Sequence, residues 1–372
     1  MDKGLYIHIP FCKSKCLYCD FCSYSGKSGL MIDYSKALAG EIAEEAAGGI
    51  KSIFIGGGTP TYLSFDGWNI IGEALNGLNL MEGAEFTVEA NPGTFDSEKL
   101  QVLKALGVNR LSIGLQAVQD SHLKRLGRIH TYEEFLKGYS AARQLGFENI
   151  NVDLMFGLPS QSLEDWKESL QKVAALDPEH ISCYSLIIEE GTEFWKLYEE
   201  GSLKLPNEET EREMYRHTLE FLSEKGYSQY EISNFSKPGK ECRHNLIYWN
   251  LGDYVGCGAG AHSFVDGVRS SNPAGVEEYI GLIDETGPGK REVHENTAKD
   301  TMSEFMFMGL RKTAGIVMQD FMERFGEDIY SVYGEVIRKF ESRGLLCAKD
   351  GRIRLTAKGI ELSNSVMCEF IF

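Results

Sequence analysis

Residues 5–19 read LYIHIPFCKSKCLYC, a strand-like run that ends in three closely spaced cysteines. LYIHIP (5–10) is the first of six short β-rich runs. The others are SIFIGG (52–57), EFTVEA (85–90), RLSIGL (110–115), INVDLMFG (150–157) and HISCYSLII (180–188). Amphipathic patterns fall between them, among them YSKALAGEIAEEA, DSEKLQVLKAL, TYEEFLKGYSAARQLG and LEDWKESLQKVAAL. Strand, helix, strand repeated in this way predicts parallel βα units. The runs read as continuously apolar rather than alternating, as for strands buried on both faces.

Six such units predict an α/β fold, an incomplete (β/α)6 TIM-like barrel in preference to a flat doubly wound sheet. Either architecture puts the ligand site at the C-terminal ends of the strands. Cys12 follows the first strand, Gly56-Gly57-Gly58-Thr59 closes the second, Glu89 ends the third, Gln116 ends the fourth, and Asp153 lies in the fifth. The unusual residues therefore gather at one end of the sheet. The expected domains are 1–235, the partial βα barrel, then 236–290, a connecting region with HNLIYW and GCGAGAH, then 291–372. A polar Pro/Gly segment, 284–296, reads as a linker. The last part reads helix, helix, helix and short strands, a small mostly helical, winged-helix-like domain.

The 372 residues suffice for a large core. With 38 basic and 55 acidic residues, the formal net charge of −17 opposes a nucleic-acid partner. No apolar run is long enough to span a membrane, and the N-terminus lacks a signal-peptide pattern. A cytoplasmic location is expected. Four of the nine cysteines lie within Cys12–Cys22, and the rest are scattered. Such clustering in a long chain points to metal rather than to a disulfide framework. Cys12-x3-Cys16-x2-Cys19 offers three thiolates in one loop, which suits a [4Fe–4S] cube with one iron left open. Cys22 keeps a four-cysteine zinc site in play, although it reads better as a spare thiol beside the site. The Gly-rich IFIGGGTPTYL (53–63) allows close backbone approach and exposed N–H groups. It lacks the Lys-Ser/Thr of a phosphate-binding loop.

The Cx3Cx2C loop after a first strand, with Tyr18 before the third cysteine, resembles the radical S-adenosylmethionine (SAM) superfamily. That resemblance implies a [4Fe–4S] cluster on Cys12, Cys16 and Cys19, with the open iron chelating SAM. It also implies reductive cleavage of SAM to a 5′-deoxyadenosyl radical. The ordered motifs HIPFC, GGGTPT, EANP, GLQ, LGR and NVDLMFGLP, together with the C-terminal domain, resemble the oxygen-independent coproporphyrinogen III oxidase family. By position, this implies SAM contacts from Tyr6, Tyr18, Gly57, Gly58, Thr59, Glu89, Gln116, Arg128 and Asp153.

The family has two branches. The oxidases carry an N-terminal extension and a loop ending CxC, and they decarboxylate propionate side chains to vinyl groups by radical chemistry. This chain starts just before its first strand and reads CDFC, which departs from that pattern. The departures resemble the HemW-type haem chaperone branch, which is marked by HNxxYW, here His244–Trp249. The resemblance implies haem as cargo, His244 as its ligand, and delivery to recipient apoproteins, respiratory ones among them, with at most peripheral membrane contact. The residues themselves allow two readings. A neutral imidazole ligates haem iron and flanking aromatics cover a macrocycle; equally, HNLIYW suits a His-Asn turn with core aromatics. Cys257 and His262 in GCGAGAHS are possible second ligands that read as structural, and His8 reads as a buried, hydrogen-bonded core histidine.

Overall fold

The computed structural model describes residues 3–46, 48–287 and 292–372. Six parallel strands form its centre: β1 (Lys3–Ile9), β2 (Ile50–Gly57), β3 (Leu80–Ala90), β4 (Arg110–Gln116), β5 (Ile150–Phe156) and β6 (His180–Ser185). They pair in that order. The crossovers are helical, with α1 (Met31–Glu45), α2 (Phe65–Asn76), α3 (Ser97–Ala105), α4 (Tyr132–Gln144) and α5 (Leu163–Ala174). Local chemistry sets where these helices start. Thr131 and Ser162 close capping boxes with Glu134 and Asp165, and Ser64 and Asp96 accept from N3 amides.

The strands are not apolar on both faces, and this corrects the sequence reading. In β1, Leu5, Ile7 and Ile9 are buried beneath the helices, while Tyr6 and His8 face the barrel interior. In β4, Leu111, Ile113 and Leu115 alternate with Arg110, Ser112 and Gln116. The interior face is polar, so each strand keeps a period of two. Short windows of mixed Ile, Ser and Gly concealed that period.

The sheet does not close. At the β6 edge it gains α6 (Glu208–Glu224), then β7 (Ser228–Glu231) and β8 (Asn234–Ser236), with β8 antiparallel to β6. At the β1 edge it gains β9 (Tyr254–Cys257), parallel to β1, then β10 (His262–Val265), β11 (Val268–Ser271) and β12 (Glu292–Glu295). The segment expected as a connecting region therefore supplies strands to the same twelve-stranded sheet. It also carries α7 (Arg243–Trp249) and α8 (Val276–Thr286). The expected linker is largely the end of α8 and β12, and the boundary expected at 290/291 lies outside the described residues.

The C-terminal part has its own core around Met306, Phe321, Ile337 and Ile353. Its elements are α9 (Ala298–Gly309), β13 (Ile316–Val317), α10 (Met318–Phe325), α11 (Ile329–Ser342), β14 (Leu346–Lys349), β15 (Arg352–Leu355) and two short helices, α12 (Ala357–Glu361) and α13 (Ser363–Met367). The three strands pair antiparallel in the order β13-β15-β14. The first three helices and the small sheet match the expectation, and two short helices follow the sheet.

Candidate functional site

A cavity of about 400 Å³ opens at the C-terminal ends of β1 to β6. Cys12, Cys16 and Cys19 form one wall. The loop that bears them is fastened at both sides: Leu17 N–H donates to Leu126 O at 3.0 Å, and Phe194 N–H donates to Leu17 O at 2.9 Å. Tyr18 also lines the cavity and packs toward Phe194, ring centroids 6.4 Å apart.

Hydroxyl and guanidinium groups reach the thiols. Cys12 Sγ is 3.5 Å from Thr59 Oγ1, Cys19 Sγ is 4.0 Å from Ser23 Oγ, and Arg128 Nη1 donates to Cys16 Sγ at 3.6 Å. Burial pushes the Cys12 and Cys19 thiols up. Among the described residues, no three His, Cys, Asp or Glu side chains gather around one point as a single zinc ion requires. A cube places each ligand on a separate iron, so three thiols spread along a wall fit a cluster better. Cys22 is not on that wall. Its sulfur turns to Ala274 O at 3.3 Å and to Tyr24 Oη at 3.9 Å.

Opposite the cysteines lies the glycine turn that closes β2. Gly57 has φ +108°, and a Cβ there would sit 2.4 Å from the His8 ring. A Cβ at Gly58 would sit 2.9 Å from Ile9 O and Phe11 O. Both positions therefore require glycine. The N–H groups of this turn are already engaged: Gly57 donates to Glu89 Oε2 at 3.1 Å, Gly58 to Ile9 O at 2.8 Å and Thr59 to Phe11 O at 2.9 Å. The amides of this turn, expected to be exposed, are therefore already engaged, and Thr59 O also accepts from Tyr62 N–H at 2.9 Å.

Two carboxylates complete the floor. Burial, with the nearby Asp153 charge adding to it, pushes Glu89 up to about 8. Asp153 is also raised by burial, against hydrogen bonds from Asn151 at 2.8 Å and Ser112 at 3.2 Å. Gln116 ends β4 with φ +72°, a left-handed conformation at the cavity wall. Arg128 is held by Gly114 O and by Asn91 Oδ1 at 2.8 Å. Sequence reasoning did not single out Asn91, Ser112 or Tyr184, although all three line the cavity. Their signal is the strand period itself, since each follows an inward-facing residue by two positions.

Two expected residues lie elsewhere. Tyr6 is not on the cavity wall. Its hydroxyl is 3.0 Å from His8 Nδ1, its ring stacks on Phe54, and burial pushes its phenol up. His8 Nε2 in turn meets Cys22 O at 2.7 Å, so the expected core histidine also steadies the cysteine loop. His244 is buried at the other end of the barrel. Its Nδ1 is 2.8 Å from Ser52 Oγ and its Nε2 is 2.7 Å from Tyr248 Oη. Burial, then Arg110, pulls its pKa down to about 3, so the ring is neutral. Ser52 lies near the start of β2 and Gly57 ends it, which separates the two by roughly 17 Å. With both ring nitrogens occupied, His244 in this conformation presents none to a ligand. Cys257 is fully buried, whereas His262 is exposed.

The family model described as the Radical SAM superfamily matches residues 6–173, and that of the HemN C-terminal domain matches residues 296–362. The chain is 42% identical to the "Heme chaperone HemW" of Bacillus subtilis, covering 99% of both chains. It is 37% identical to the "Heme chaperone HemW" of Lactococcus lactis, covering 99% of this chain and 97% of the relative. It is 32% identical to a mitochondrial "Radical S-adenosyl methionine domain-containing protein 1" of Danio rerio, with 99% and 86% covered. Among solved structures, coproporphyrinogen III oxidase (HemN) from Escherichia coli superposes with a TM-score of 0.86 at 23% identity, covering 99% of this chain and 90% of that one. That likeness speaks for the fold alone.

Proposed function

The chain belongs to the radical SAM superfamily, in the family of the HemW heme chaperones, and on that premise we propose that it carries haem to apoproteins from a scaffold built around a cluster and SAM. The observation that carries the reading is the convergence of three thiols, a glycine turn, two partly buried carboxylates and one guanidinium on a single cavity.

Cys12, Cys16 and Cys19 would hold a [4Fe–4S] cluster, which when bound supplies an electron to SAM. The residues then divide the work of binding. The Gly57–Thr59 turn lines the place of the ligand's amine. Glu89 and Asp153 accept from its hydroxyls and sit beside its cationic centre. Arg128 is the cation for its carboxylate, and it also steadies Cys16. Tyr18 and Gln116 wall the remaining sides. Tyr6 acts one step back, through His8 and the loop that His8 holds.

Tightly clustered thiols suit a reducing compartment, and no helix among the described residues is long and apolar enough to cross a membrane. The proposed place of action is the cytoplasm, and the proposed recipients are haem-dependent apoproteins, respiratory ones among them. His244 as haem ligand would have to give up two hydrogen bonds first, so its proposed part is to hold HNLIYW against the barrel.

The test is metal content and cargo together. Anaerobically prepared protein should carry about four iron per chain, and Cys16→Ala should lose it. The same preparation, given coproporphyrinogen III, SAM and reductant, should form no protoporphyrinogen while still binding haem. Zinc in place of iron, or decarboxylation, would overturn the reading.

A further inference from the structure

Cys22 competes, by its position in the chain, for the iron that three cysteines leave open. Cys19-x2-Cys22 repeats the spacing of Cys16-x2-Cys19, so a fourth thiolate is within reach of a four-iron cube. A cube bound by four cysteines has no open iron. Of the loop's four cysteines, only Cys22 does not line the cavity. What holds it away comes from a distant part of the chain.

The turn between β9 and β10 forms a seat for this side chain. Cys22 Sγ donates to Ala274 O at 3.3 Å and lies 3.9 Å from Ala259 O. Gly260 is the floor of the seat: a Cβ there would sit 2.8 Å from Cys22 Sγ. Tyr24 Oη, which donates to Ala274 O at 3.1 Å, closes one side. The backbone is held as well, with Cys22 O 2.7 Å from His8 Nε2.

A buried carboxyl group anchors the seat from beneath. Glu41 of α1 is fully buried. It accepts from Gly258 N–H at 2.7 Å, from Asn272 Nδ2 at 2.7 Å and from Tyr279 Oη at 2.6 Å. Asn272 also donates to Gly258 O at 2.9 Å. One helical face higher, Tyr34 Oη accepts from Ala259 N–H at 2.9 Å and donates to His8 O at 2.8 Å. The same helix therefore steadies both the turn and the histidine behind Cys22. A network satisfied in this way fixes the turn in one conformation.

We propose that this Glu41-anchored turn withholds Cys22 from the cluster, so that the fourth iron stays open to SAM. This rests on the cluster and SAM reading above and adds what keeps the fourth position free. Glu41, Tyr34 and Gly260 are positioning residues: none lines the cavity, and each acts through Cys22. A released Cys22 would lose its S–H proton to solvent and form a sulfur–iron bond where SAM would otherwise bind, with no change of oxidation state.

Full-length protein, reconstituted with its cluster under anaerobic conditions, tests this. The measurements are iron and sulfide content, SAM affinity by equilibrium dialysis, and the effect of SAM on the electron paramagnetic resonance spectrum of the reduced cluster. Gly260→Ala fills the seat. It should keep about four iron per chain and lose the spectral response to SAM. Its SAM affinity should fall about tenfold, as expected when the thiol occupies the open iron in about nine-tenths of molecules. Cys22→Ala alone should behave as wild type, and adding it to Gly260→Ala should restore both the response and the affinity. Damage to the turn itself would persist in that double variant. Tyr34→Phe unties the turn from His8 without adding bulk, so it should act in the same direction, be restored in the same way, and decide the matter if Gly260→Ala does not fold. Wild-type SAM binding in both Gly260→Ala and Tyr34→Phe would overturn the proposal, and so would a loss that Cys22→Ala does not restore. In either case the cluster and SAM reading would stand. A wild type that responds to SAM only after Cys22→Ala would overturn it too, since the seat would not be holding the thiol. A wild type that takes up no cluster, or whose cluster ignores SAM in every variant, would overturn the reading of the function and this inference with it.

Discussion

Glu89 shows how a single residue reports on its site. Its carboxyl is raised from an ordinary 4.5 to about 8 by burial first and Asp153 second. In the unfolded chain it ionises near 4.5, so between 4.5 and 8 only the folded state keeps the proton. The folded state is therefore favoured most by this group below pH 4.5. That advantage is lost as pH rises through 8. Glu89→Gln removes the dependence, because the amide still accepts from Gly57 N–H but does not ionise. For metal-free protein, the variant's stability relative to wild type should rise between pH 5 and pH 9 by on the order of 3 kcal/mol. Urea unfolding at the two pH values reads this, and a difference that does not move with pH would refute it. At this scale the sequence was informative where residue type and position both carried meaning. The cysteines, Gly57, Thr59, Glu89, Gln116, Arg128 and Asp153 all line the cavity. Tyr6 and His244 do not, because a side chain's height along a strand or its partner across the barrel is not written in a motif.

At the scale of elements, strands and crossover helices were legible because each is a local pattern with its own cap. The inner polar face was not, since Arg110, Ser112 and Asn151 read as interruptions until the period of two is imposed on all six strands. The helix α7 was the least legible. Its start has no side-chain cap of its own. Instead Glu85, from the middle of β3, accepts from Arg243 N–H and His244 N–H, both at 3.1 Å. A carboxylate there also suits the positive end of the helix. The HNLIYW segment is thus fixed by a residue about 160 positions earlier. Glu85→Ala should destabilise the protein by about 1–3 kcal/mol through the lost cap and two unmet amides. Glu85→Gln should recover only part of it, since the two amides donate to different oxygens of the carboxylate and the amide keeps one acceptor. Denaturant midpoints decide this, and equal stability of Glu85→Ala and wild type would sink the argument.

For the whole molecule, the C-terminal domain was legible as a unit but its docking was not, because three residues past α9 decide it. Ile232 N–H donates to Arg311 O and Thr313 N–H to Tyr230 O, each at 3.1 Å, so the segment 311–313 adds to the β7 edge of the barrel sheet. Tyr230 is itself joined inward, its hydroxyl 2.8 Å from His180 Nε2 and accepting from Cys242 N–H at 3.2 Å. Arg311 fixes the same seam twice. Its guanidinium lies 4.5 Å from the Trp249 ring centroid and 3.8 Å from the carboxylate of Glu231, which is 1% exposed. Removing one partner of such a pair strands the other, and burial already raises the Glu231 carboxyl. Arg311→Ala should therefore cost about 3 kcal/mol near neutral pH. The cost should shrink as pH falls, because Glu231 then takes a proton and the stranded charge disappears. Adding Glu231→Gln to Arg311→Ala should recover much of the loss at neutral pH and almost none at low pH. Calorimetric unfolding of the single and double variants at both pH values reads the coupling. If the double variant is no more stable than Arg311→Ala at neutral pH, the ion pair does not join the two domains, and the strand addition at Tyr230 and Thr313 must carry the docking alone.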